Sequence, residues 1–385
     1  MIKIDNPLNC CGCTACASIC SHGAIRMVPD ALGFLYPKVD MGKCVNCSLC
    51  EKVCSFKADY DISENFETPI TYGVRHKDIH EIEKSRSGAT FVAISDYVLK
   101  VGGHIYGVGF KNHFVVSHKK ACDADERDEF RESKYVQSEL SDTFRSVKED
   151  LQNNHIVLFT GTPCQVAGLK SYIPKRLIKN LLLMDVVCHG VPSPYIWRDY
   201  IRFLEKKYGS KITSVNFRNK KMYGWAEHKE TFEFEGVDDV ITPKFSFYKD
   251  LYFRKSCYSC PFTNTHRTGD ITIADFWGWE KCAPLFNVDN KGCSLVLVNT
   301  LKGKDFFDKA VDVLNVIPVR ISDCLQPNMQ TPTMKNPKRD QFEHDYAKKG
   351  FAYVYYKYGE EGWRYRIRAK LGQIHLLLKK VSKCK

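Results

Sequence analysis

The chain has 385 residues, enough for two or three domains that each bury a core, and its 44% hydrophobic content is ordinary for a globular protein. No run of eighteen apolar residues occurs, so no helix is expected to span a membrane, and no nucleic-acid motif accompanies the net charge of +12. Eighteen cysteines could suggest a disulfide scaffold, but Met1 to Asn9 has no apolar signal-like stretch, so metal ligation in a reducing cytoplasm is the expectation.

Residues 1–64 read as a dicluster ferredoxin-like domain. Cys10, Cys13, Cys16 and Cys20 form one C-x2-C-x2-C-x3-C run, and Cys44, Cys47, Cys50 and Cys54 form a second. Three cysteines on one tight loop cap three irons of a cubane, and the fourth iron takes its ligand from the other run. Cys10, Cys13, Cys16 and Cys54 are thus expected to hold one 4Fe-4S cluster, and Cys44, Cys47, Cys50 and Cys20 the other. A zinc knuckle has a different rhythm. Ser21 and Ser55 stand where such runs usually have proline, which loosens the turn and removes no ligand.

Asp59 to Pro69 is polar and acidic and reads as a linker. A first flavoprotein segment is expected over 65–150. It holds a short strand at Tyr72–Arg75, a helix opening at Ser87-Gly88 and ending at Gly102-Gly103, and strands at His104–Phe110 and Phe114–His118. Charged Asp123–Arg131 and the stretch Asp142–Gln152 are expected to be helical. A second segment spans 151–330. Ile156–Phe159 reads as a strand ending at Gly161-Thr162-Pro163-Cys164-Gln165, Val166–Tyr172 as a helix, and Leu181–Val187 as a strand ending at Cys188-His189-Gly190. This βαβ order predicts a parallel sheet with Cys164 and Cys188 on its ligand-binding carboxyl side. Tyr195–Tyr208 reads as a helix, and Lys211–Arg218, Lys229–Glu235, Ile271–Ala274 and Ser294–Asn299 as strands. The fold class is mixed α/β: a two-cluster ferredoxin-like module, then a flavin-binding α/β region with a mainly parallel sheet. Residues 331–385 form a basic helical tail. Between Gly362 and Lys385 it carries eight Lys or Arg and no acid among interleaved apolar residues, a pattern for an anionic membrane surface, an acidic partner or simple packing on the protein.

Cys257-x2-Cys260 is a further hook that lacks two ligands, and Cys164 and Cys188 can supply them from the sheet edge. A third 4Fe-4S cluster, a four-thiolate zinc, a Cys164 nucleophile with His189 as base, and inert buried thiols all fit this spacing. Cys11, Cys122, Cys282, Cys293, Cys324 and Cys384 have no partner pattern and read as ordinary residues. A cluster moves single electrons whereas most organic substrates take two, so a flavin is the expected converter. The usual nucleotide fingerprints are missing: Asn112 breaks G-x-G-x-x-G after Gly107 and Gly109. The helix starts at Ser87-Gly88-Ala89-Thr90 and at Gly161 to Gln165, together with Lys134, offer alternative phosphate cradles.

Six motifs in order carry a resemblance: Ser87-Gly88-Ala89-Thr90, Ser133 to Ser138, Gly161 to Gln165, Cys188-His189-Gly190, Cys257-x2-Cys260, and Gly269 to Gly278. The chain resembles the beta subunit family of coenzyme F-420 (F420) hydrogenase and dehydrogenase, in a form fused to an N-terminal dicluster ferredoxin, over residues 1 to about 320. The resemblance implies FAD on the carboxyl side of the sheet, beside a cluster held by Cys164, Cys188, Cys257 and Cys260. It implies flavin contacts from Ser87, Gly88, Thr90, Lys134, Tyr135, Gln137 and Ser138, with Gly161, Thr162 and Pro163 close by. Ala89 replaces the usual second glycine. Arg218, Lys220, Gly224 and Trp225 resemble a stretch lining the substrate side, with a solvated strand end as the alternative. Arg267 would put a charge near the cofactors or pair with Asp270 or Asp275. His189 and His118 are proton-transfer candidates or structural histidines. The expected protein is a cytoplasmic oxidoreductase passing electrons between a ferredoxin-type carrier, three clusters and FAD, with hydride exchange to a deazaflavin or other small organic substrate. The alternative is an electron-transfer subunit serving a partner enzyme. The resemblance and the tail together suggest work at the inner membrane face, linked to cell-surface polysaccharide synthesis.

Overall fold

The structure is a computed structural model that describes residues 1–56, 60–243, 245 and 250–359. In the N-terminal module β1 (Ile25–Pro29) and β2 (Leu35–Val39) pair antiparallel, and the short helices Ala15–Ile19 and Leu49–Lys52 each carry the third cysteine of one run, Cys16 and Cys50. The next strands are β3 (Asn65–His76), β4 (His104–Lys111), β5 (Val115–Ala121), β6 (Val157–Gly161) and β7 (Leu181–Val186). After them come β8 (Ile212–Asn216), β9 (Thr231–Phe234), β10 (Val237–Ile241), β11 (Ile271–Asp275), β12 (Ser294–Thr300) and β13 (Leu314–Pro318). Strands 8 to 10 make a small antiparallel sheet of order β10-β9-β8.

The remaining eight strands form one sheet of order β13-β3-β12-β11-β7-β6-β4-β5. Its centre, β11-β7-β6-β4, is parallel, as the βαβ order requires, while β12, β3, β13 and β5 join antiparallel on the flanks. The mainly parallel sheet expected from sequence is therefore a parallel heart in a mixed sheet. Strands from the 65–150 and 151–330 segments share it. The central strands are apolar on both faces. Leu181 and Leu183 pack under helices Thr143–Gln152 and Pro163–Tyr172, whereas Leu182 and Met184 meet helices Thr90–Lys100 and Leu301–Ala310 on the other side.

The expected linker is corrected by β3, which starts at Asn65 and includes Pro69. β13 pairs only with Tyr72 to His76, so the missing N–H of Pro69 lies on an unpaired stretch of edge where proline is tolerated. The helix Arg339–Tyr358 breaks at Gly350 (φ 73°) and packs Phe342, Phe351, Val354 and Tyr355 against Tyr200 and Phe245. The basic stretch from Gly362 lies outside the described residues, and no described helix is long and apolar enough to cross a membrane.

Glu230 is buried beneath helix Pro194–Tyr208, and the Tyr200 hydroxyl donates to it at 2.8 Å. Burial pushes its carboxyl up to about 8 from an ordinary 4.5. The native state keeps a proton that the unfolded chain releases, so stability falls between pH 4.5 and about 8, by ~1.4 kcal/mol per pH unit. Glu230→Gln is expected to flatten the dependence of Tm on pH between 5 and 8. Parallel wild-type and variant profiles would contradict this.

Candidate functional site

The cysteine runs fold as two copies of one loop. In the first, Gly12 (φ 70°) and Thr14 (φ 66°) alternate with the ligating positions; in the second, Asn46 (φ 54°) and Ser48 (φ 61°) occupy the same places. Alternating right- and left-handed residues turn successive N–H groups toward one concave side, which suits an anionic cluster. The N–H groups of Gly12 and Ala15 accordingly donate to the sulfurs of Cys10 and Cys13. One cavity is lined by Cys10, Cys13, Cys16 and Cys54, and another by Cys20, Cys44, Cys47 and Cys50. The crossed grouping read from spacing is the grouping in space.

A third cavity is lined by Cys164, Cys188, Cys257 and Cys260, at the carboxyl ends of β6 and β7. Pro163 starts the helix after β6, and the Gln165 side chain accepts from the Thr162 N–H at 3.0 Å, which holds Cys164 in the first turn. Backbone N–H groups of Gly190, Val191 and Phe262 donate to the sulfurs of Cys188, Cys257 and Cys260. Burial nevertheless pushes the Cys188 and Cys260 thiols up to about 12 and the Cys257 thiol above its ordinary range. Among the described residues no disulfide joins two cysteines.

The first and third cavities share Cys11 and Phe56 in their walls. The expectation that Cys11 is an ordinary residue is corrected: its buried thiol lies between Cys13 and Cys164. Helix Ala15–Ile19 packs on helix Pro163–Tyr172, where a Cβ on Gly168 would meet the Cys13 sulfur at 2.6 Å. Cys122 is exposed, Cys293 and Cys324 are buried in the core, and Cys384 lies outside the described residues.

The residues implied as flavin contacts lie along the same carboxyl edge. Ser87 donates to the Cys293 carbonyl at 2.5 Å, and the Gly88 N–H donates to Ser294 Oγ at 2.9 Å. Ser294 pairs with Asp275 at the end of β11. A Cβ on Gly88 would collide with the Val74 carbonyl, so no larger residue fits. Ala89 caps the helix at φ 63°, a left-handed conformation that costs a residue with a Cβ ~1–2 kcal/mol and that glycine adopts freely. Thr90 Oγ1 is buried at this helix start without a hydrogen-bond partner. Asp275 pairs with Arg218 at 2.5 Å, Arg218 reaches the Tyr135 hydroxyl at 3.3 Å, and the Tyr135 ring lies 6.0 Å from that of His189. Gly161 ends β6, and Thr162 and Pro163, which cap and start the next helix, lie in the wall of the third cavity.

The remaining expected residues make these contacts within the chain. Lys134 donates to the Glu129 and Arg131 carbonyls at 2.5 and 2.6 Å, and burial pushes it down to about 8. Gln137 bonds Cys11 and Arg254, at the junction of the two modules. Ser138 bonds His118 Nδ1 at 3.0 Å, while the other ring nitrogen meets the Thr160 carbonyl at 3.0 Å. His118 is buried and held at about 4, which matches the structural histidine left open by the sequence. His189 lines the third cavity, and burial and Arg218 hold it at about 4, hence neutral. Arg267 pairs with Asp185 of β7 at 3.0 Å, and not with Asp270 or Asp275, the partners given as its alternative role. Lys220 is pushed down to about 7 by burial and by Arg86, and donates to the Lys291 carbonyl at 2.7 Å. Trp225 stacks on Trp277 at 4.4 Å, and a Cβ on Gly224 would meet Asn290. Arg86 and Arg254 escaped the sequence reading, although Arg86 directly precedes Ser87 and Arg254 lies three residues before Cys257.

A module of two cysteine-lined cavities docked on a mixed α/β sheet defines an iron–sulfur electron-transfer protein. Residues 9–58 match the 4Fe-4S dicluster domain, and residues 155–319 match the family described as the C terminus of the beta subunit of coenzyme F420 hydrogenase/dehydrogenase. Residues 155–319 are thus similar to the C-terminal region of that oxidoreductase-type beta subunit family, and a 4Fe-4S dicluster domain precedes them in the chain. Among solved structures, a chain of the xenon-derivatised F420-reducing NiFe hydrogenase complex from Methanosarcina barkeri is 15% identical, with a TM-score of 0.45. That alignment covers 74% of this chain and 89% of the other. No curated protein matches the chain.

Proposed function

We propose that the protein holds three 4Fe-4S clusters and one FAD and exchanges electron pairs with a small organic substrate, of which a deazaflavin such as F420 is one class. The observation that carries this reading is the third set of four thiols, in a cavity that shares a wall with the dicluster module. When bound, cubanes carry electrons singly and a flavin pairs them for organic chemistry. The chain's own part is to hold and insulate. Cys20, Cys44, Cys47 and Cys50 make the outer site, with Cys47 exposed; Cys10, Cys13, Cys16 and Cys54 make the middle one; Cys164, Cys188, Cys257 and Cys260 make the inner one.

Ser87, Gly88 and Thr90 offer a helix N-terminus and a buried unpartnered hydroxyl for an anionic group. Buried Arg86 and Arg218 add positive charge along the same edge. Lys134, Tyr135, Gln137, Ser138 and the Gly161–Pro163 turn complete the implied flavin contacts. His189 lines the inner cavity with its ring 6.0 Å from that of Tyr135, where it can donate or accept a proton at a ring nitrogen.

Protein purified without oxygen is expected to contain about one FAD per chain that bleaches on adding a reduced ferredoxin. Iron-loaded protein without flavin would favour the second reading, an electron-transfer subunit serving a partner enzyme. That reading draws support from exposed Met41, Val45 and Leu49 around the outer site, which suit a protein partner. Links to polysaccharide synthesis and to the inner membrane face stay with the family resemblance and with the tail outside the described residues.

A further inference from the structure

Arg254 is 1% exposed, and among the described residues no carboxylate pairs with it. Its Nε donates to the Cys10 carbonyl at 2.7 Å, Nη2 to the Leu35 carbonyl at 2.9 Å and toward Cys10 Sγ at 3.5 Å, and Nη1 to Gln137 Oε1 at 3.1 Å. The Tyr36 ring lies 4.3 Å from its guanidinium, and the groups facing it are Cys10, Cys11, Tyr36 and Cys257. It also lines the third cavity. Gly12 is needed for this approach: at φ 70° its Cβ would stand 2.8 Å from Nη1.

A guanidinium buried without a carboxylate is costly unless other negative charge compensates it. Two sets of thiolates on either side supply that charge. Resting on the cluster assignment above, we propose that Arg254 is the buried counter-ion shared by the middle and inner cluster sites, and that it raises the reduction potential of the Cys10, Cys13, Cys16 and Cys54 cluster. Reduction adds one negative charge to a cluster, and a fixed cation beside a ligand sulfur stabilises that state. The residue tunes and positions; it touches no substrate.

The test is an EPR-monitored redox titration of anaerobically purified full-length protein. Arg254→Gln is expected to lower the potential of one cluster until its oxidised-to-reduced ratio at the wild-type midpoint rises at least about tenfold, or about 59 mV for one electron. Arg254→Lys, which keeps the charge, is expected to stay near wild type. Gln137→Glu sets a carboxylate against the guanidinium and should shift the same cluster in the same direction. It decides the matter alone if Arg254→Gln does not retain iron. Unchanged potentials in an iron-loaded neutralised variant would overturn the proposal. Iron and sulfide content of the wild type separately decides whether the clusters are there.

Discussion

Replacing Cys257 with serine is expected to cut the iron content from about twelve to about eight atoms per chain and to leave the two outer clusters intact. Cys257 is held in a turn over Lys255–Ser259, its sulfur receives the Val191 N–H, and it faces the cavity that Cys164, Cys188 and Cys260 also line. A serine hydroxyl is a poor substitute for a soft thiolate, whereas the other two quartets contain no residue of this turn. Bleaching of the flavin through the protein's own relay should fall with the lost iron. Unchanged iron and unchanged bleaching by dithionite would show that the ligand set is wrong.

Asp185→Ala is expected to destabilise the fold by ~3–5 kcal/mol. Asp185 is fully buried on β7 and takes Arg267 Nη2 at 3.0 Å on one oxygen, and the Thr268 hydroxyl and Gly269 N–H, both at 3.0 Å, on the other. Arg267 in turn donates to the Phe262, Asn264 and Val186 carbonyls, so one ion pair fastens the strap behind Cys260 to the sheet. Removing the carboxylate strands a guanidinium that is 1% exposed. Asp185→Asn keeps an acceptor and should cost less. Denaturant unfolding measures both, and a loss below ~1 kcal/mol for the alanine variant would contradict the assignment.

These two sites differ in how far the sequence announces them. Cysteine spacing is local chemistry: a loop that caps three irons must repeat its ligands at short intervals, so both outer quartets were legible. The parallel strands were legible because Leu181 to Met184 is buried on both faces. Asp185–Arg267 and Arg254–Cys10 are pairs 82 and 244 residues apart. Topology alone brings such groups together, and no window of sequence contains them. The start of β3 was hidden by acidic, proline-containing composition, since its exposed edge carries polar residues. Cys11 looked ordinary because it is out of step with the ligand spacing. Its place between two cavities depends on how the module docks.

The relay is tested most directly by quantifying iron, acid-labile sulfide, zinc and flavin in full-length protein purified without oxygen. Three cubanes predict about twelve irons per chain with matching sulfide, and visible absorption that bleaches with a strong reductant. Colourless protein containing zinc in place of iron, or protein whose spectrum does not respond to reductant, would contradict it.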